Sequence, residues 1–536
     1  MAIAQPTRKW TNERWDYSIS LIKQYHLIII LVVAVLIRLP LVPTPLTYSL
    51  TDTWRQADTA SIAHNLNHGG RFNVFYPQVD WGGSSPGYVE AEFQLYTLIV
   101  AVLYRLFGEH IIIGRLVSLA FTIPTLAIFY GLARHLFNQR VASWALLAFA
   151  VSPLSIRYSV AFMPEATVLF FYMAALYSFH RWLDEPSSRW FWLMSITTAL
   201  AVLVKPTSIH IGLIFALLLF MRYRLRFIRM WRLWVFAAIV LVPTVLYYLH
   251  AYNLYVTYGN TFGLLAGGDT KFAGISTLLS PTFYLRIVGL DVVWILAIGG
   301  IVPVLIGAVI LRKQPAKWLM IIAGTTLLAY YMLVSRYAQE EWGIQYHVYT
   351  IPYLMLLVGL GMDWLWERGQ AQPERSRWRI APAHLASAVI IVFSVGIMGW
   401  IYKAALFVPD SGSTTILNCA TTAIQLIPPR TTVIVSVTSP AYENTLPNNY
   451  QDPRFFFYAH LYGWALPSDV YDPAILEQDY AQGAQYLIMY DRQVYVDHPE
   501  LIAYLDTHAE QIGPGIEADC AIYQLQTSSG SESEPG

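Results

Sequence analysis

Residues 93–107 read FQLYTLIVAVLYRLF, an apolar run of 15 residues carrying one charge, Arg105. A helix that crosses a bilayer needs about 20 mostly apolar residues. The run is therefore short for a crossing but long enough to lie along a membrane interface. Its placement decides on which side every later loop falls. The surrounding chain is apolar throughout: of 536 residues, 56% are hydrophobic and 13% charged, where an ordinary soluble domain carries about 25% charge. The net charge is zero, so no global basic field points to nucleic acid. Apolar runs at about 26–42, 113–132, 141–157, 164–182, 190–205, 208–222, 233–250, 286–311, 317–335, 347–366 and 384–403 suggest spans.

The distribution of Lys and Arg settles how these runs are threaded. If 93–107 does not cross, the loops on the side of the N-terminus hold 20 of the 34 Lys+Arg, including the RYRLRFIRMWR cluster at 222–232. If it crosses, that cluster lies outside. Cytoplasmic loops are the basic ones, so the reading is an α-helical polytopic membrane protein of about eleven transmembrane helices in the cell membrane. Residues 1–25 are cytoplasmic and 26–405 are the membrane part. Within it, residues 43–112 form a large first outer loop with juxtamembrane helices. The run 26–42 follows Arg8, Lys9, Arg14 and Lys23 without a small-residue cleavage site, which reads as a retained helix and not a signal peptide.

This threading collects ionisable residues on the outer face. The first loop holds Asp52, Asp58, Asp80, Glu90 and Glu92, with a short helix over 54–67. The later outer connections bring Arg157 and Glu165, then Lys205, then Asp269 and Lys271, then Arg336, Glu340, Glu341 and His347. Such groups are costly beside hydrocarbon and usually face a cavity or a partner. Transfer from a phosphate-activated donor needs a carboxylate to deprotonate the acceptor and cations to offset charge on the departing phosphate. Asp52 suits the first role; Lys205, Arg115 and Arg336 suit the second. The donor would be a lipid, since the site opens at the outer membrane surface.

Asp52-Thr-Trp-Arg55-Gln-Ala-Asp58 resembles the D-E-x-R-Y-x-E signature of the lipid-A aminoarabinose transferases and the wider protein O-mannosyltransferase-like group, which are GT-C-fold glycosyltransferases. Further pieces fit in order. Glu92-Phe-Gln-Leu-Tyr96 resembles E-F-P-L-Y, and Phe107-Gly108-Glu109 with Gly114-Arg115-Leu-Val-Ser118 resembles F-G…R-L-x-S. Ser152-Pro153…Tyr158…Met163-Pro164-Glu165, Val204-Lys205-Pro206 and Tyr346-His347-Val-Tyr349…Pro352 are similar to later elements. The resemblance covers about residues 25–365. It implies a polyprenyl-phosphate-linked sugar donor, an extracytoplasmic acceptor, and Asp52 as general base. The resemblance, together with the charge reading that brings in Arg336, places Asp58, Glu92, Arg115, Glu165, Lys205, Arg336 and His347 around the substrates. No cofactor is certain; a divalent metal ion, with Glu165 as a ligand, is the one candidate. The sequence departs from the family where Thr53 stands for the second acid and Gln94 for proline, and where Gly87–Glu92 replace a K-P-P-L segment.

Blander roles compete. Asp52 can cap the following helix, Asp58 can sit on a solvated helix face, and Glu165 can be an ordinary first-turn acid. Lys205 and Arg115 can reach for lipid phosphate, and His347 can be a packed histidine. Two other function classes stay open: a transporter or flippase for a lipid-linked glycan, and a non-catalytic membrane assembly factor. A transporter would carry mid-span charges and paired broken helices; here the charges crowd at outer span ends.

After Phe407 the composition turns polar. Strands over 432–437, 486–489 and Cys520–Gln526, with helices over Pro473–Gln482 and Pro499–Gln511, suggest a small extracytoplasmic α/β domain at 406–526. Residues 527–536 read as a disordered tail. Cys419 and Cys520 are the only cysteines; outside the cell they can form a disulfide, and they show no metal-type spacing.

Overall fold

The computed structural model describes residues 25–48, 53–69, 72–265, 267, 270–371, 381–436, 452–467, 472–490 and 492–526. The body is a bundle of apolar helices. Three helical stretches are long and apolar enough to cross a membrane alone: Ile111–Leu136, Trp231–Tyr258 and Pro382–Leu426. Two bent pairs raise this to five: Gln139–Val151 with Pro153–Ser159, at 62°, and Glu341–His347 with Ile351–Gln370, at 74°. Tyr25–Leu41, Ser188–Val204, Ile301–Leu311 and Lys317–Leu333 are apolar but shorter. The runs read as eleven crossings are thus not all single long helices among the described residues.

The breaks have local causes. Pro153 disfavours the α conformation at the residue before it, and Ser152 is extended, with ψ 127°. The run expected at 286–311 is interrupted: helix Pro281–Leu290 passes into a π-helical turn, Asp291–Ile295, before helix Ile301–Leu311. In between, Ala297 and Ile298 have φ of 45° and 58°, a costly conformation for residues with a side chain. The run 93–107 forms one 13-residue helix, Leu95–Phe107. Gly108, at φ 84°, ends it. The Tyr96 hydroxyl donates to the Gly114 carbonyl at 2.8 Å. A Cβ on Gly114 would lie 2.1 Å from the Phe162 ring, so this contact between helices requires glycine.

Arg38, in the first helix, is fully buried. Its guanidinium donates to Ser159 Oγ at 2.6 Å, Ser155 Oγ at 2.9 Å, and the Ala34 and Ala150 carbonyls at 2.9 and 2.8 Å. A buried cation is tolerated only when its donors are so occupied. Here it fixes the first helix against the bent segment Pro153–Ser159.

The C-terminal residues form a five-stranded sheet in the order Tyr462–Leu466, Thr432–Ser436, Tyr486–Met489, Ala521–Leu525, Ala509–Gln511. The first three strands are parallel and the last two run antiparallel to their neighbours. Helices Pro473–Ala481 and Pro499–His508 accompany it; the second stops short of 511 because Ala509–Gln511 joins the sheet. Cys419 and Cys520 are disulfide-bonded. The tail 527–536 lies outside the described residues.

This sheet is docked on the first loop. Gly83 N donates to Gly463 O at 2.8 Å and Gly463 N to Asp80 O at 2.9 Å, so the loop covers a sheet edge that would otherwise expose unpaired amides. Ile62, Leu66, Val79 and Trp81 share one hydrophobic cluster with Ile416, Val433, Phe455 and Ile522.

Candidate active site

Four segments converge beside the first-loop helix, Thr53–His68. That helix is not a solvated strip: Gln56, Ala57, Asp58, Ser61 and Ile62 are buried. Gln56 Oε1 accepts from Phe162 N at 2.7 Å, which seats the helix on the bundle. Arg55 Nη2 donates to Glu92 Oε2 at 2.6 Å, and its guanidinium lies over the Phe262 ring at 4.7 Å. Asp58 Oδ1 accepts from Trp81 Nε1 at 3.1 Å.

The second segment is a parallel pairing of Val89–Glu90 with Asn260–Thr261. It brings the Thr261 hydroxyl to Glu90 and lets Leu265 N donate to the same carboxylate at 2.9 Å. The Lys271 ammonium donates to Gly263 O close by. The third segment supplies Glu165, the first residue of helix Glu165–Asp184 after Pro164. The fourth supplies Lys205. Helix Ser188–Val204 ends there because Pro206 follows, and Lys205 is extended. Its ammonium pairs with Glu165 Oε1; the two side chains are 13% and 0% exposed. Glu165 Oε2 is buried with no hydrogen-bond partner among the described residues.

Arg55 and Glu92 line one small hollow with Phe93, Gln94, Pro164 and Phe262, among others, and Glu165, Lys205 and Lys271 lie near enough to act on these charges. Burial pushes the Glu92 carboxyl up, but Arg55 and Lys205 more than offset this and hold it below its usual range. Burial opposes the Arg55 charge, while Glu92, Asp58 and Glu165 hold its pKa well above the ordinary value. Burial also lowers Lys271, which Glu92 and Glu90 partly offset. Glu90 is raised by burial despite the Thr261 and Leu265 bonds. Asp58 is pushed up to about 8 by burial, although Arg55 and Trp81 favour its charged form. Cations and carboxylates gathered in this way can meet an anionic head group and orient a hydroxyl.

The structure brings together only some of the residues read from the sequence. Asp52 and Asp269 lie outside the described residues. Glu92, Glu165 and Lys205 are in the cluster. Asp58 is beside it, but it anchors Trp81 and does not face water. Arg115 is a brace instead, donating to Val160 O at 2.9 Å and Pro45 O at 3.0 Å. His347 is fully buried and ties Asp291, at 2.6 Å, to the Ala338 carbonyl, at 2.8 Å, so its ring serves the scaffold. Arg336 bonds Thr270 Oγ1 at 3.4 Å, and its backbone N–H donates to the Lys271 carbonyl; it flanks the cluster through that loop. Glu165 does not fit a metal site with the neighbours described: one oxygen is held by an ammonium, and the one group of three metal-type ligands among the described residues lies elsewhere. Arg55, Glu90 and Lys271 were not singled out as site residues. Their loops were visible in the sequence, but the strand pairing that joins them was not.

The overall architecture matches known structures closely in extent. The structure of ArnT from Cupriavidus metallidurans bound to undecaprenyl phosphate superposes with a TM-score of 0.61 at 14% identity, covering 95% of this chain and 99% of that one. The chain has the GT-C fold. The archaeal oligosaccharyltransferase AglB from Archaeoglobus fulgidus, in complex with an inhibitory peptide and a dolichol-phosphate, shares it with a TM-score of 0.59 at 11% identity, covering 91% of this chain and 73% of that one. Residues 94–248 match the family described as dolichyl-phosphate-mannose-protein mannosyltransferase. No curated protein matches the chain in sequence. Within this GT-C fold, the family match takes in Glu165 and Lys205 and begins just past Glu92.

Two measurements probe the cluster. Replacing Lys205 with Met leaves the buried Glu165 carboxylate unpaired, which costs about 3–5 kcal/mol in comparable cases; thermal unfolding should show a large loss, and the double variant Lys205→Met/Glu165→Gln should recover much of it. A raised Asp58 pKa favours the folded state at low pH, and that contribution is lost as pH rises through about 8. Melting temperature measured from pH 5 to pH 9 should therefore fall less steeply in Asp58→Asn than in the parent.

Proposed function

We propose that the chain is a glycosyltransferase that moves a sugar from a polyprenyl-phosphate-linked donor to an extracytoplasmic acceptor. The observation that carries this reading is the buried, alternating cluster Lys205–Glu165 and Arg55–Glu92 with Lys271 beside it. It stands where apolar helices meet the first loop. The GT-C fold adds support, since relatives of the same fold were solved with undecaprenyl phosphate and dolichol-phosphate. In this reading eleven crossings put the N-terminus in the cytoplasm and the C-terminal sheet domain outside, with residues 93–107 at the outer interface.

Lys205, Arg55 and Lys271 offset charge on the lipid phosphate as the sugar leaves. Asp52, three residues before Arg55 in the sequence, takes the acceptor proton. Glu165 Oε2, buried with no hydrogen-bond partner among the described residues, orients the acceptor hydroxyl. The acceptor class is a glycolipid, polysaccharide or protein. The C-terminal sheet, docked through Gly83 and Gly463, borders the acceptor side. A transporter reading draws less support: the clustered ion pairs lie at helix ends.

Membranes bearing Asp52→Asn should lose transfer from radiolabelled polyprenyl-phosphate sugars by about 10²–10⁴-fold, the usual contribution of a positioned base, at unchanged expression. Parent-level transfer by that variant would remove Asp52 from the mechanism.

A further inference from the structure

A second cluster of reactive side chains lies outside the proposed reaction centre. His64 and His68 are one helical turn apart on Thr53–His68, so both rings face the same way. Their centroids are 4.1 Å apart. Glu109, in the turn between helices Leu95–Phe107 and Ile111–Leu136, reaches both: its Oε1 is 2.6 Å from His64 Nδ1, and its Oε2 is 3.7 Å from His68 Nδ1. One ligand atom from each of the three lies within 4.8 Å of the others. His460 stacks on His64 with ring centroids 5.1 Å apart. It sits in the left-handed region, φ 53°, immediately after helix Arg454–Ala459. It lines a cavity of about 150 Å³ together with His64, Asn65, Asp80, Arg430 and Tyr462.

We propose that His64, His68 and Glu109, with His460 as fourth ligand, form a site for a borderline divalent transition metal, Zn²⁺ being the type. Three imidazoles and one carboxylate are a donor set that suits zinc. Tetrahedral bonds of about 2.0–2.2 Å put ligand atoms about 3.5 Å apart, which small rotations of these side chains reach. The His68 side chain is 60% exposed and has room to turn. In the sequence the pair reads H-x-x-x-H, which puts both histidines on one helix face.

The site is separate from the Arg55 hollow. His64 lies nine positions beyond Arg55, about 13 Å along the helix axis, and the two hollows share no lining residue. Its four ligands come from three places: the first-loop helix, the turn before Ile111–Leu136, and the C-terminal part. The metal therefore staples the C-terminal sheet domain to the helix that carries Arg55 and Asp58. Metal binding of this kind adds directly to folding stability.

The test uses tag-free, full-length protein in detergent, stripped with EDTA and titrated with Zn²⁺ by calorimetry, with bound metal counted by plasma mass spectrometry. One Zn²⁺ per chain is expected, together with a rise in melting temperature on metal addition. His64→Ala/Glu109→Gln should bind none. His68→Ala, at an exposed position that does not threaten the fold, should weaken binding at least tenfold. His460→Ala should weaken it similarly and remove the metal-induced rise. Absence of stoichiometric zinc, or equal binding by the parent and His68→Ala, would leave only a His64–Glu109 ion pair and overturn the site. Parent-level binding by His460→Ala would overturn the staple.

Discussion

A charge placed at the end of an apolar helix has to find a partner. Moving an ion out of water costs several kcal/mol even after relaxation, and the helix ends beside the first loop carry several ions. The Glu165 side chain is wholly buried, and the Lys205 ammonium meets it. Arg55 and Glu92 compensate one another in the same way. Lys205–Glu165 ties the start of Glu165–Asp184 to the end of Ser188–Val204, and Arg55–Glu92 closes the first loop on itself, giving one polar network. Other buried polar contacts extend it: Gln56 to the Phe162 amide, Tyr247 to the Glu92 carbonyl at 3.0 Å, and Thr261 to Glu90. A site fixed in this way pays its reorganisation cost on folding, which is the condition for strong electrostatic stabilisation of a transferred group.

The C-terminal sheet belongs to the same construction. Its edge strand Tyr462–Leu466 is covered by the backbone of Asp80–Gly83, and its helix Ser411–Leu426 reaches the first loop where Ser413 Oγ donates to Thr53 Oγ1 at 2.9 Å. Gly83 is at φ 65°, and a Cβ there would stand 2.7 Å from the Trp464 ring. The first loop is therefore held on one side by membrane helices and on the other by the sheet. A proton-transfer residue placed near Thr53 would inherit its orientation from both.

Much of this was legible in the sequence, because the strongest signals are local. Apolar runs mark helices wherever they are long, and Val204-Lys205-Pro206 announces a helix end with a lysine on it. Pro164-Glu165 marks a helix start with an acid. What the sequence hid was partnership. Arg115 and His347 are basic side chains as Lys205 is, yet their nitrogens meet backbone carbonyls and Asp291, and nothing in their immediate neighbours distinguishes the cases. Glu90 and Lys271 are joined only by pairing of Val89–Glu90 with Asn260–Thr261, about 170 residues away, a two-residue ladder too short to leave a periodic trace. The break at Asp291–Gly300 was hidden for a similar reason: its residues are as apolar as the helices they separate. Strand Tyr462–Leu466 is hidden because YGWAL carries a glycine at its second position, which weakens any strand pattern.

The central claim is that the cluster of Lys205, Arg55 and Lys271 receives the phosphate of a lipid-linked donor. Photo-crosslinking of the full-length protein with a polyprenyl-phosphate carrying a photoreactive group next to the phosphate, followed by peptide mapping, tests it most directly. The account predicts adducts within 89–97, 203–210 and 260–272, competed by unlabelled polyprenyl-phosphate and lost in Lys205→Met/Glu165→Gln. Adducts confined to the C-terminal sheet or to the Arg222–Arg232 segment would contradict it.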